Sequence, residues 1–317
     1  MFLSNSTTFT ILMFNYVALG GTMGCVGCLG NAVNAYVFVK MGIRDTVNIS
    51  LLGLAISDFL ALLFLLSESV CLNPMFQDTG VPVVLTEIEY VVGGWPHVCF
   101  TRVTSWITAF VTFERCLCIA CPLKVKRYVT PTRAKLFICA MFLLVLASAA
   151  PEFFVNQFTW KFYPERNRTM LGLRFIEDRT RFEIVTLVLN NVIMQYFAFL
   201  AVIVFTITLA AELNQKSKWR SSVVKADNPD DIPRKDKKVV KLITLISTTF
   251  ILSYLPSSIL FLAMAVEHEF HPDGYYNIFY VTWSFAYVME GLNASLNIFV
   301  YFTMSSRFRG IVYKTFL

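Results

Sequence analysis

The residues able to do chemistry in this chain are few, and they sit where charge is most costly. Asp58, Glu68, Arg102 and Glu290 interrupt long apolar runs, and the pair Glu114–Arg115 closes another. A carboxylate removed from water must be paired, protonated or bound to a cation. Ionisable groups inside such runs therefore mark binding sites, relays or switches. Bond-making chemistry has no support. The chain lacks G-x-S-x-G, H-E-x-x-H and phosphate-cradling motifs, and its 3 His and 8 Cys show no metal-ligand spacing. Cys25-x-x-Cys28 lies within an apolar run, where it reads as small packing side chains, and the Cys nearer the basic turns read as packers or lipidation sites. Neither an enzyme nor a metal centre is expected.

The elements that must position these groups are seven apolar runs, at 11–39, 47–71, 90–113, 136–155, 184–211, 242–266 and 275–304. Each reaches the length of about 20 residues that a helix needs to cross the hydrocarbon core. The first, fifth and sixth contain no Asp, Glu, Lys or Arg. Composition agrees: 56% of the chain is hydrophobic and 15% charged, against about 25% charged in soluble domains. The expected fold is an all-α membrane protein, a seven-transmembrane helix bundle over 11–304. A short extracellular N-terminus (1–10) precedes it, and a surface helix and tail (305–317) follow. Residues 1–10 carry no basic residue, and the first run is too long for a signal-peptide core, so that run reads as a retained span.

Orientation follows from where the basic residues fall. Of 27 Lys and Arg, 20 lie in alternate connections: 40–44, 115–135, 216–241 and 307–314. Six lie between 161 and 181 on the other side, and Arg102 is inside a run. The positive-inside rule then places the N-terminus outside and the C-terminus in the cytoplasm of a multi-pass plasma-membrane protein. Asn5-Ser6-Thr7 and Asn167-Arg168-Thr169 are glycosylation acceptors on the outer side. Basic residues clustered at helix ends beside a bilayer exclude nucleic acid as a partner.

Between the spans, 216–236 reads as a flexible loop with helical ends, broken by Pro229 and Pro233. The outer connection 151–183 reads as a hairpin over the helix mouths. After the last span, Phe308, Ile311 and Val312 share one helical face among Arg307, Arg309 and Lys314, the pattern of a helix lying in the inner interface. No internal repeat appears, which opposes a transporter built from duplicated halves.

Read together, the landmarks resemble the rhodopsin-like G-protein-coupled receptors. They are Gly30-Asn31; Leu54-Ala55-Ile56-Ser57-Asp58; Glu114-Arg115-Cys116 with Pro122 seven residues beyond Arg115; Phe250-x-x-x-Tyr254-Leu255-Pro256; Asn297-Ile298-Phe299-Val300-Tyr301; and Phe308 seven residues past Tyr301. The order and the runs that carry them match the family from 30 to 308. Tyr254 stands for the family's Trp and Ile298 for its Pro. The fifth run lacks a proline and the fourth its Trp, and no Cys in 151–183 is available for the family's outer disulfide. These departures resemble a divergent invertebrate branch of neuropeptide-like or chemosensory receptors.

The resemblance implies roles for particular residues. Asp58, Thr104, Asn293 and Asn297 would hold an allosteric sodium ion, the one cofactor implied; a static hydrogen-bond knot involving Asn31 is the competing reading. Arg115, beside Glu114, would pair with Asp236 and hold span six at rest against a heterotrimeric G protein. Phe250, Pro256 and Tyr301 would form the moving parts. Glu68, His97, Thr101, Arg102, Tyr254 and Glu290 would line the ligand site, with Arg102 paired to Glu290 or Glu68. His97 stands where amine receptors carry an Asp, so a peptide (basic or amidated) or a small chemosensory molecule is the expected ligand. A channel or secondary transporter using Asp58, Arg102 and Glu290 as a polar path is the alternative.

Overall fold

A computed structural model describes residues 3–77, 80–121, 125, 127–176, 179–223, 234–267, 269–271 and 274–316, without the side chains of 180, 213–214, 216–223 and 234–237. Pro122 and the centre of the 216–236 loop fall outside these residues, as does the side chain of Asp236.

Among the described residues, seven long helices form the bundle. Span one is Asn5–Met41, span two Thr46–Leu72, span three Leu85–Ala120 and span four Pro131–Val155. Span five runs through Arg179–Leu187, Val188–Tyr196 and Phe197–Val223. Span six is Arg234–Val266 and span seven Tyr276–Met304. The first six are long and apolar enough to cross a membrane. Span seven has 29 residues and the length to cross, but it carries Asn277, Glu290, Asn293 and Asn297 among its aromatics. The surface helix, Ser306–Phe316, follows directly, with Phe308 buried beneath it.

Span one starts at Asn5 rather than at residue 11. Ser4 caps it by accepting from the Thr7 amide at 3.1 Å. Asn277 of span seven donates to Leu3 O and Asn5 Oδ1, both at 2.9 Å, so the first turn has a partner to fold against. At the far end Gly42, with φ 97°, turns the chain toward span two. Span one reaches spans two and seven closely because Gly27 has no side chain: a Cβ there would lie 2.5 Å from Leu62 and 2.6 Å from Ser295.

Spans two and three hold the centre. One continuous core joins Leu54, Val103, Ile107, Ile246, Tyr301 and Phe308. Large apolar side chains on the periphery face outward, among them Leu29, Leu143 and Ile207, each at least 65% exposed. On a helix bundle this is the lipid-facing pattern, since contiguous exposed apolar surface is rare in water.

Spans one, three and five each contain a π-helical stretch, at Met13–Gly20, Tyr90–Gly94 and Val188–Tyr196. All three lie toward the end of the bundle opposite the basic turns. Such stretches are rare and gather at functional sites, and these bury Asn15, Asn190, Asn191 and Gln195.

At that same end β1 (Asn156–Tyr163) pairs antiparallel with β2 (Arg168–Phe175), turning through Asn167 at φ 45°. The expected hairpin is therefore present. None of the 8 Cys is disulfide-bonded, so the hairpin is tied down by other means. Glu87, in the first turn of span three, accepts from the Leu173 amide (2.8 Å), Tyr163 Oη (2.8 Å) and Lys161 Nζ (3.1 Å). One carboxylate so makes the tie from the top of span three to the outer loop that a disulfide makes elsewhere in the resembling family. Tyr163 lies outside the membrane, and burial together with its bond to Glu87 pushes its phenol upward. Glu87→Ala should destabilise the detergent-solubilised protein by about 1–3 kcal/mol and speed hydrogen exchange across β1 and β2. Thermal unfolding with exchange mass spectrometry checks both, and unaltered exchange would remove Glu87 as the tether.

Candidate functional site

Arg102 is the largest fully buried side chain of the bundle. Its Nη1 donates to Gln195 Oε1 at 3.1 Å and to Thr101 Oγ1 at 3.3 Å, and its Nη2 to Asn191 Oδ1 at 3.0 Å. The guanidinium also lies 5.8 Å from the centroid of the Phe261 ring. The wide π turn of span five brings Asn191 and Gln195 to the same partner. This corrects the expected pairing of Arg102 with Glu68 or Glu290: no such ion pair exists among the described residues. Arg102 faces spans five and six, whereas Glu68 and Glu290 come from spans two and seven. Neutral acceptors meet both terminal nitrogens of the cation without requiring a second charge to be desolvated, the cost that makes buried ion pairs poor stabilisers.

Glu68 and Glu290 gather instead around His97 and Tyr287. His97 Nδ1 bonds the Ala61 carbonyl at 2.9 Å, and its ring stacks on Tyr287 with centroids 5.1 Å apart. Glu290 acts electrostatically on His97, Tyr254 and Tyr287. Glu68 does so with Glu89, and both act on Tyr16 and Tyr287. Glu68 Oε2, His97 Nε2 and Arg102 Nε are buried with no hydrogen-bond partner. The cluster thus holds three carboxyl groups and one guanidinium, with three polar atoms left open.

From Arg102 a contiguous chain leads inward. Ser105 Oγ donates to the Thr101 carbonyl at 2.8 Å and to Gln195 Oε1 at 3.1 Å, and it acts electrostatically on the Tyr254 side chain. Thr101, expected in the ligand site, donates to Val98 O at 2.8 Å besides accepting from Arg102. Tyr254 stacks on Phe250, centroids 4.3 Å apart, and Phe250 meets Phe199 of span five at 6.4 Å. Two residues on, Pro256 removes a backbone donor from span six. Ser257 and Ser258 hydroxyls both donate to the Tyr254 carbonyl, at 3.1 and 2.8 Å, and Tyr196 of span five donates to the Ser258 carbonyl.

At mid-depth Asp58 accepts from Thr104 Oγ1 (2.8 Å) and Asn297 Nδ2 (2.7 Å), and Thr104 shares a hydrogen bond with Ser57 (2.8 Å). Asn293 is buried on span seven. Asn31 is not part of this group: it donates to the Gly27 and Ala294 carbonyls and accepts from Asn34. Among the described residues no basic side chain meets Asp58, so its charge must be balanced by a proton or a bound cation. The oxygen-bearing side chains around it are of the kind that fits a hard cation.

At the basic end Arg115 pairs with its neighbour Glu114 at 2.6 Å, and Glu114 also accepts from Thr46 at the start of span two. This ties span three to span two; the side chain of Asp236 lies outside the described residues. Thr112 and Ser247 share a hydrogen bond of 2.7 Å between spans three and six. Tyr301 packs edge-on against Phe38 of span one at 5.0 Å and against Phe308 at 5.8 Å, so three aromatics join spans one and seven to the surface helix.

Asn191, Gln195 and Glu89 were not singled out from the sequence. The amides were visible as rare polar residues in an otherwise apolar run. Glu89 directly precedes the third run and joins the bundle because span three begins at Leu85.

Comparison with known proteins agrees with this geometry. The family model described as "Serpentine type 7TM GPCR chemoreceptor Srw" matches residues 17–317. The chain is 26% identical to a protein named Neuropeptide receptor 22 of Caenorhabditis elegans over 305 residues, covering 90% of this chain and 65% of that one. It is 23% identical over 311 residues to the Allatostatin-A receptor of Bombyx mori, covering 91% of this chain and 76% of that one. The chain thus spans just under two thirds of the worm receptor's length.

Gln195→Leu should cost about 1–3 kcal/mol by leaving a buried charge short of an acceptor. Adding Arg102→Met should recover part of that loss, because the unpaired charge goes with it. Thermal unfolding of the single and double variants checks this; a double variant no more stable than the single contradicts the assignment.

Proposed function

Since the chain belongs to the Srw family of serpentine seven-transmembrane chemoreceptors, we propose that it carries the binding of an extracellular ligand to a heterotrimeric G protein. Membership places it among receptors rather than enzymes. In this reading the hairpin end faces outward and the basic end the cytoplasm, in accord with the 20 basic residues of the alternate turns. Asn5 and Asn167 then lie where glycosylation occurs.

The observation that carries the reading is a run of neighbours: Arg102 and Ser105 share Gln195, Ser105 acts electrostatically on Tyr254, and Tyr254, two residues before Pro256, stacks on Phe250. A ligand drawing Arg102 away from its amides, or engaging Tyr254, shifts side chains packed beside the pivot of span six. Span six then moves at the basic end, where its Thr112–Ser247 tie is a single neutral bond. This is a bistable element of the kind that allosteric switching uses. The ligand site takes a cationic or amidated group: Glu68, Glu89 and Glu290 outnumber Arg102 there. The name of the worm relative refers to a neuropeptide, which supports a peptide ahead of a small chemosensory molecule.

Arg115→Ala should lower ligand-stimulated nucleotide exchange while surface expression persists. Full signalling by that variant, measured in transfected cells against a peptide panel, contradicts the switch. Asp58, Thr104, Asn293 and Asn297 would hold a sodium ion that supplies the missing positive charge. With Asp58→Asn, agonist affinity should no longer depend on sodium concentration. A wild-type affinity already indifferent to sodium would make the Asp58 group a static hydrogen-bond knot.

A further inference from the structure

Where span three crosses span two at the hairpin end, two acids come together and no base accompanies them. Span three lies directly on Glu68: a Cβ added at Gly93 would fall 3.0 Å from the Glu68 Cβ and 3.1 Å from its backbone nitrogen. Glu89 stands four residues before Gly93, about one turn further out on the same side of span three. Glu68 is 5% exposed and its Oε2 meets no hydrogen-bond donor, whereas Glu89 is part-exposed. The two carboxyl groups act on each other electrostatically. Tyr16 of span one, Cys71 of span two and Tyr287 of span seven feel both of them. Glu290 adds a third acid from span seven. His97, 1% exposed, stacks on Tyr287 and leaves Nε2 without a partner. The nearby bases are engaged elsewhere: Lys161 is bonded to Glu87, and Arg102 to span five. Among the described residues no Lys or Arg forms an ion pair with Glu68 or Glu89.

Neighbouring carboxylates in a low dielectric, with no cation between them, do not both ionise; one keeps a proton. We propose that Glu68 and Glu89 hold one proton between them in the empty receptor and that the ligand's positive group displaces it, so that acid outside the cell opposes ligand binding. The proton leaves a carboxyl oxygen for the outer water, which part-exposed Glu89 can reach. The pair then passes from one negative charge to two as the positive group arrives. Ligand affinity therefore rises with pH through the range in which the empty pair would release its proton unaided, and the two acids titrate as a unit. The displacement rests on the cationic ligand site proposed above; the shared proton does not.

Infrared spectra of the purified full chain in nanodiscs at neutral pH test the shared proton. The wild type should show a protonated-carboxyl stretch that is missing from both Glu68→Gln and Glu89→Gln, because either change removes the neighbouring charge and lets the remaining acid ionise. A band that survives in Glu89→Gln places the proton on Glu68 by burial alone and overturns the pairing, as does a wild type whose spectrum matches both variants. Agmatine, whose two positive groups stay charged from about pH 6 to about pH 8, probes the displacement by thermal shift. Its half-saturating concentration in the wild type should be about tenfold lower at the upper end of that range than at the lower. In Glu89→Gln it should be the same at both ends. Equal values in the wild type overturn the displacement, and a tenfold difference kept by Glu89→Gln assigns the effect to His97 and overturns it too. The stretch behaving as expected with no agmatine shift at either pH keeps the shared proton and removes the cationic-ligand reading.

Discussion

Every feature of this bundle answers to one constraint: a charge inside hydrocarbon must be met by protein, because water is absent. Arg102 shows how the chain solves it. Two amides on a π turn of span five and a hydroxyl on its own helix supply neutral acceptors, and the Phe261 face covers the remaining side. The solution fixes geometry as well as energy. Span three cannot rotate against span five without stripping the guanidinium, and the π turn cannot relax to an α-helix without moving Asn191 or Gln195.

The same constraint explains why the working residues are linked rather than scattered. Gln195 serves Arg102 and Ser105 together, and Tyr254 lends its carbonyl to the two serines beside Pro256. Each shared partner spares the burial of another polar group. It also means that no member moves alone, which in the proposed switch carries a disturbance among Arg102, Glu68 and Glu290 toward the basic end. Asp58 is bonded by Thr104 and Asn297 and meets no base among the described residues, so spans two, three and seven converge on one buried carboxyl group.

The bundle was legible in the sequence because hydropathy and the placement of Lys and Arg are properties of the chain itself. The hairpin and the surface helix were legible for the same reason, as were the Asp58–Thr104–Asn297 contacts, through the resemblance. Pairing among the outer charges was not. Arg102 and Glu290 look complementary when only signs are compared, but which face of span three carries Arg102 depends on helical phase, and a π stretch at Tyr90–Gly94 resets that phase upstream. The π turns carry no motif of their own. The Glu87 tether was equally hidden, because a carboxylate that holds three donors looks in sequence like any loop acid.

The claim on which the rest depends is that the Ser105 side chain, acting on Tyr254, helps to hold span six in place at the basic end. Distances between nitroxide labels at positions 44 and 238, measured by pulsed electron resonance in nanodiscs, test it directly. With Ser105→Ala the account predicts a longer and broader distribution than in the otherwise native protein. A distribution identical in the two proteins would contradict it.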